Sequence, residues 1–189
     1  MAIFRVFFFL SLVLGSYLPS NASAQHIEQL FDEESTLDLS DSLYFLFETD
    51  YQLTISDVSR RRNDFLMHPH DNPNFGFHNN GMWLLTSVAN VSNDKHWVFS
   101  INFSQLDSVD FYLVQNGKVI KQSHQGKAQK EQRFRVPTFR VELPDSDPVD
   151  LYIRIESRSS SLIAPLRIQA EPLHSSYFQM DSLLWGFFY

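Results

Sequence analysis

Trp83, Tyr112, Arg140, Tyr152 and Arg154 are the residues of this chain best suited to holding a small molecule. An aromatic ring stacks on the apolar face of a sugar, and an arginine guanidinium offers a fixed fork of donors to hydroxyls or to a carboxylate. Tyr112, Arg140, Tyr152 and Arg154 occupy the alternate positions of runs whose other residues are apolar, and Trp83 does the same if Leu84 and Val88 face the core. All five are therefore expected to point away from the core. An ordinary outer sheet face also favours tyrosine and arginine, which cover area while keeping their polar ends wet. If the five form a binding site, Tyr152→Ala and Arg154→Ala should abolish ligand-induced thermal shifts and leave the melting temperature almost unchanged.

Other clusters suggest chemistry less strongly. His68-Pro69-His70-Asp71, with His78 downstream, combines imidazoles and a carboxylate that suit zinc. The stretch from His68 to Asn80 is a Pro/Asn/Gly-rich loop without a rigid element to fix ligand geometry, so solvated histidines are the expectation and no metal or other cofactor is assigned. Their ordinary pKa near 6.5 would also suit a pH response. Arg60-Arg61-Arg62 suits anionic lipid headgroups or, more simply, the C-terminus of a preceding helix. Lys118, Lys121, Lys127, Lys130, Arg133 and Arg135 face only Glu131 over their stretch, which makes a locally basic region fit for a carboxylate ligand or for plain solvation. No Gly-x-Ser-x-Gly elbow, His-Glu-x-x-His helix or phosphate-cradling glycine loop occurs, so no enzyme and no catalytic residue is expected.

The elements that must position these residues read as antiparallel β. Trp97, Phe99, Ile101 and Phe103 recur with period two, as do Val109, Phe111 and Leu113, then Phe139, Val141 and Leu143, then Leu151, Ile153 and Ile155. Leu43 to Phe47 and Met82 to Val88 are strand-like but less strictly patterned. Asn116-Gly117 signals a hairpin that returns along residues 118–122. Pro144 to Pro148 marks a turn, and Pro165 and Pro172 bracket a strand from Leu166 to Ala170. Thr54-Ile55-Ser56-Asp57 predicts a capped short helix over residues 54–61, and a second helix is expected from about Ser175. About eight strands with regular turns predict an all-β fold, an antiparallel two-sheet jelly-roll sandwich.

The ends and the composition set the context. Arg5, the apolar run Val6 to Leu14 and the small residues Ala22-Ser23-Ala24 have the form of a secretory signal peptide over residues 1–24, the alternative being an uncleaved anchor. Residues 25–35 read as a polar segment, 36–174 as the sandwich, and 175–189 as a linker helix leading into Leu183 to Tyr189. That apolar ending either packs into the domain or begins a membrane helix, the second being preferred. The absence of cysteine excludes a disulfide scaffold and any Cys-ligated metal site. With 22 acidic against 15 basic residues, nucleic acid is not an expected partner.

The order of several motifs resembles the type-2 extracellular domain of bacterial seven-transmembrane receptors with diverse intracellular signalling modules, 7TMR-DISM. The resemblance covers about residues 36–189. It rests on Leu53-Thr54-Ile55-Ser56-Asp57-Val58, Asn74-Phe75-Gly76, Trp83-Leu84 with Asn90 and Trp97, and Leu106-Asp107-Ser108-Val109-Asp110-Phe111-Tyr112. Gly126, Leu151 to Ser157, Pro165-Leu166 and the ending from Leu184 complete it. The family commonly has Trp-Leu-Arg where this chain has Trp83-Leu84-Leu85, so any contact from that arginine is missing here. The resemblance implies a sensor on the periplasmic face of the bacterial inner membrane. It would bind a carbohydrate or another small ligand, a carboxylate being the option that the arginines and lysines add, and signal, through the membrane segment after Leu183, to a cytoplasmic output domain outside this chain. The alternatives are a secreted carbohydrate-binding or adhesion module without a membrane segment, and a structural domain that mediates oligomer contacts.

Overall fold

The computed structural model describes residues 26–32, 36–49, 52–69, 72–127, 135–145 and 147–171. Among these residues the elements run β1 (Ile27–Leu30), β2 (Leu37–Asp38), β3 (Tyr44–Phe47), α1 (Ile55–Arg60), β4 (Leu66–Met67), β5 (Met82–Asn90), β6 (His96–Ile101), β7 (Ser108–Gln115), β8 (Lys118–Gln125), β9 (Thr138–Glu142), β10 (Val149–Glu156) and β11 (Leu166–Ala170). They form two sheets, the all-β sandwich expected from the alternation. The seven-stranded sheet has the order β4-β3-β5-β10-β7-β8, and the four-stranded sheet has the order β2-β11-β6-β9. Strand β1 runs parallel to the second half of β5, from Ser87 to Asn90, beyond the stretch that β3 occupies.

The core between the sheets is built by the apolar alternation. Met82, Leu84 and Val88 of β5, Phe111 and Leu113 of β7, and Ile153 and Ile155 of β10 meet Phe99, Phe139 and Ile168 from the facing sheet. Phe111 is the centre of this contact: its ring stacks on Phe139 with centroids 4.6 Å apart and leans on Phe99 at 5.7 Å. Asn116 and Gly117 both take positive φ, 50° and 73°, as the tight hairpin between β7 and β8 demands.

Three differences from the sequence reading share one cause, which is pairing with distant partners. The strand count exceeds eight because β1, β2 and β4 are only four, two and two residues long, too short to display a period. The polar segment 25–35 contributes β1, whose Leu30 is fully buried, so the sandwich takes in residues before 36. All nine residues of β5 are buried, which erases the alternation expected of a half-exposed strand. Its outer face is covered by the segment that leads into and out of α1. The helix itself is as predicted: Thr54 Oγ1 accepts from the Asp57 N–H, and the Asp57 carboxylate accepts in return from the Thr54 N–H at 3.0 Å.

Residues 1–25 and 172–189, with the expected signal peptide, second helix and apolar ending, lie outside the described residues. Among the described residues no helix is long and apolar enough to cross a membrane.

Candidate functional site

Four of the five residues singled out from sequence converge on the outer face of the seven-stranded sheet. The register sets them in two rows. In the first, Leu46, Trp83, Arg154, Asp110 and His124 lie side by side across β3, β5, β10, β7 and β8. In the second, Tyr44, Leu85, Tyr152, Tyr112 and Gln122 do the same. Arg140 stands apart, on β9 of the other sheet, where its Nε pairs with Glu171 at 2.9 Å. Sequence alternation identifies an outward position but not which of two sheets it belongs to.

A roof covers half of this face. Leu53, Val58 and Phe65, before, within and after α1, pack on Trp83, Leu85 and Tyr152 to form a second apolar cluster. The amphipathic turn of α1 faces Val58 inward, and the capping box fixes where the helix starts. Arg62 ties the far end of the roof to the sheet: its guanidinium pairs with Asp150, and Nη2 donates to Ser87 Oγ at 3.1 Å. Arg60 and Arg61 pair instead with Asp57 and Asp64 on the roof itself, each at 2.8 Å. The three arginines thus do three separate local jobs.

Beneath the roof lies an ion pair that sequence reasoning missed. Arg154 donates from Nε and Nη2 to the two carboxylate oxygens of Glu48, both at 2.8 Å. Glu48 Oε1 also accepts from the Trp83 indole at 2.9 Å and from the Leu53 N–H at 3.0 Å. Glu48 is 6% exposed and Arg154 5%, so the pair is held almost out of water. Burial pushes the Glu48 carboxyl up, but the donors Arg154 and Trp83, the arginine charge and the Leu53 N–H outweigh it and hold it below its ordinary value. The signal available was parity: Glu48 continues the outward series Tyr44, Leu46 just past the end of β3.

The pair requires a bare backbone beside it. A Cβ at Gly81 would stand 2.5 Å from Arg154 Nη2 and 2.6 Å from Glu48 Oε2. Gly81→Ala is therefore expected to displace the pair and cost about 1–3 kcal/mol, the usual range for overpacking. Urea unfolding of the variant checks this, and an unchanged midpoint would show that the pair yields freely.

Burial overturns the stability expectation for Tyr152→Ala and Arg154→Ala. Tyr152 is 2% exposed, and Arg154 neutralises a buried carboxylate, so either change disturbs the fold itself. Beyond the roof the rows emerge into solvent. Tyr112 is half-buried, stacked on Trp83 with centroids 5.7 Å apart. Arg154 Nη1 reaches toward Glu156 at 3.3 Å and Asp110 at 3.8 Å, and Asp110 in turn meets His124 Nδ1 at 2.5 Å. Burial, assisted by the Asp110 charge and opposed by Arg154, raises the Tyr112 pKa, so its hydroxyl remains a donor at neutral pH.

The histidine loop is taken up in packing. His68 sits edge-on to Phe45 and Phe75, and His78 stacks on Phe47 at 4.0 Å. His70 and Asp71 lie outside the described residues.

The family model for 7TMR-DISM extracellular 2 matches residues 40–170, which spans the roof, both rows and the late strands. The chain belongs to this family. Membership in 7TMR-DISM extracellular 2 suggests a periplasmic sensor domain associated with a membrane receptor, in a family that is generally non-enzymatic. No curated protein matches the chain. Among solved structures, a β-glucosidase from Kluyveromyces marxianus in complex with glucose is similar at 16% identity and a TM-score of 0.36. That match covers 68% of this 7TMR-DISM chain but only 15% of the glucosidase.

Proposed function

We propose that this domain is the ligand-sensing module of a membrane receptor, and that it takes a small carbohydrate-like or carboxylate molecule at the uncovered end of the two rows. The supporting observation is the half-buried Tyr112 ring, backed by Trp83 and flanked by Asp110, His124 and Gln122. An aromatic platform edged by short polar groups suits a polyol, whose apolar face stacks while its hydroxyls exchange hydrogen bonds at the rim. Arg154, already shared among Glu48, Glu156 and Asp110, holds the rim of the platform in place rather than meeting the ligand. Trp83 and Tyr152 support the platform from beneath the roof, and Arg140 takes no part.

The mechanism is binding without chemistry. Tyr112 and the roof rest on the same tryptophan, so a ligand on Tyr112 acts on the surface that the roof must cover. A signal follows only if the ligand prefers one arrangement of the roof over another. The receptor's membrane segment would read that preference.

A thermal-shift panel of monosaccharides, disaccharides and small carboxylates tests the proposal. A true ligand at a hundredfold excess over its Kd should stabilise the domain by about 2.7 kcal/mol. Tyr112→Ala and Asp110→Asn should remove that shift while the fold persists. Retention of the shift by both variants, or no shift with any member of the panel, would count against the site.

A further inference from the structure

The uncovered part of the outer face is a trough that deepens away from the Tyr112 platform. Tyr112, Asp110 and Ser108 alternate along β7 with the buried Phe111 and Val109, so all three stand on this face, and they shrink from a ring to a hydroxyl. Strand β8 follows the same gradient beside them, from Gln122 through His124 to Gly126. Gly126 must lack a side chain: at φ 147° a Cβ there would stand 2.3 Å from the Asp107 carbonyl oxygen and 2.9 Å from Ser108 Cα.

The trough ends in a cleft of about 570 Å³. Ser108 and Glu156, paired across β7 and β10, form its floor, which sets the cleft on the same outer face as Tyr112. Beyond the strand ends Lys127, Arg158 and Ser159 make its wall. Hydrogen bonds hold the two cations on either side of one short segment. The Lys127 N–H donates to the Leu106 carbonyl at 3.2 Å, and the Arg158 N–H donates to the Asp107 carboxylate at 2.6 Å. Both cations therefore reach the same cleft from strands that neighbour β7 on its two sides.

The carboxylates of the cleft are already engaged, Asp107 by the Arg158 backbone and Glu156 by Arg154 Nη1 at 3.3 Å. Neither the Lys127 ammonium nor the Arg158 guanidinium has an ion pair among the described residues. Positive charge is thus what the cleft offers a ligand. Ser108 lies four residues along β7 from Tyr112, about 13 Å at the rise of a β-strand, which is farther than one sugar ring reaches.

We infer that the trough takes an acidic oligosaccharide, with one ring on Tyr112 and the carboxylate of a later uronic acid unit at Arg158 and Lys127. The inference rests on the reading of Tyr112 as a ligand platform and adds to it the charge and the minimum length of the ligand. The planar fork of Arg158 matches a carboxylate, Lys127 adds a point charge, and the hydroxyls of Ser108 and Ser159 meet those of the sugar. Both cations are exposed, so the charge-dependent share of the affinity weakens with salt, whereas stacking on Tyr112 does not.

Calorimetric titration of the full 189-residue chain with trimers of galacturonic, mannuronic and glucuronic acid tests the inference, each beside its methyl ester, which keeps the rings and loses the charges. At least one acid trimer should bind at least about tenfold more tightly than its ester and than its own monomer. Replacing both cations, Arg158→Gln with Lys127→Gln, should erase the preference over the ester. Both residues are exposed, so the double variant should melt with the parent. Tyr112→Ala should weaken acid and ester alike. Equal binding of acid and ester, both lost in Tyr112→Ala, would overturn the acidic ligand and leave the platform standing. A charge preference that survives the double variant, trimers no tighter than monomers, or full affinity in Tyr112→Ala would overturn a ligand that spans both ends. Absence of binding by every trimer would overturn the inference, and failure of the neutral sugars as well would remove the Tyr112 site with it.

Discussion

Glu48→Ala should destabilise the domain by about 3–5 kcal/mol, because it removes the one buried counter-charge of Arg154 and leaves only the more exposed Glu156 and Asp110 at Nη1. Arg154 would lose both of its short contacts to Glu48, and the Trp83 indole and the Leu53 N–H would lose their shared acceptor. Urea unfolding followed by tryptophan emission measures the loss, and a cost below about 1 kcal/mol would mean that water reaches Arg154 and the pair is effectively exposed. The same residue sets an acid limit. Its carboxyl pKa is depressed on folding, so its contribution is whole above the ordinary value of about 4.5 and disappears as the pH falls through the lower folded value. Glu48→Gln should therefore be less stable than the parent at neutral pH and lose less on acidification. Parallel acid titrations of the two proteins would reveal this as converging unfolding free energies.

The second large effect is expected at the centre of the sandwich. Phe111→Ala removes a fully buried ring that touches rings from the opposite sheet on two sides, at 4.6 and 5.7 Å. Deleting such a ring costs about 3–5 kcal/mol, part from lost transfer energy and part from the cavity left behind. The melting temperature should fall by on the order of 10 °C. Phe111→Leu, which refills most of the volume, should cost markedly less. Equal effects of the two changes in a calorimetric scan would show that the ring stack, not the filled volume, carries the stability.

These two residues also mark what sequence can and cannot disclose. Phe111 was legible because β7 alternates in plain view, with one face against the core and the other partly open. Glu48 was not, since its meaning depends on the register that lays Leu46 beside Trp83 and Trp83 beside Arg154, across strands far apart in the chain. Outward direction was read correctly for Trp83, Tyr112, Tyr152 and Arg154, yet outward did not mean exposed, because the α1 segment folds back over half the face. The helix start was readable from Thr54 and Asp57, whereas its target was not: capping is a local signal and docking is not. The bulge at Ile120 was hidden for a further reason, as a single unpaired residue in a ladder leaves no mark on the sequence of one strand.

The pairing of β2 with β11 carries a consequence for how the molecule is born. Leu37 lies against Ile168 and Asp38 against Arg167, so one edge of the four-stranded sheet joins the beginning of the domain to its end. Strand β11 also separates β2 from β6, and until it arrives β6 and β9 stand alone on that side. A chain made from the N-terminus can complete its larger sheet with β10, but the facing layer must wait for β11. Such long-range closure makes folding slow and late. The half-made domain meanwhile presents the apolar side of its larger sheet, a surface that chaperones can hold and that binds neighbours if left unattended.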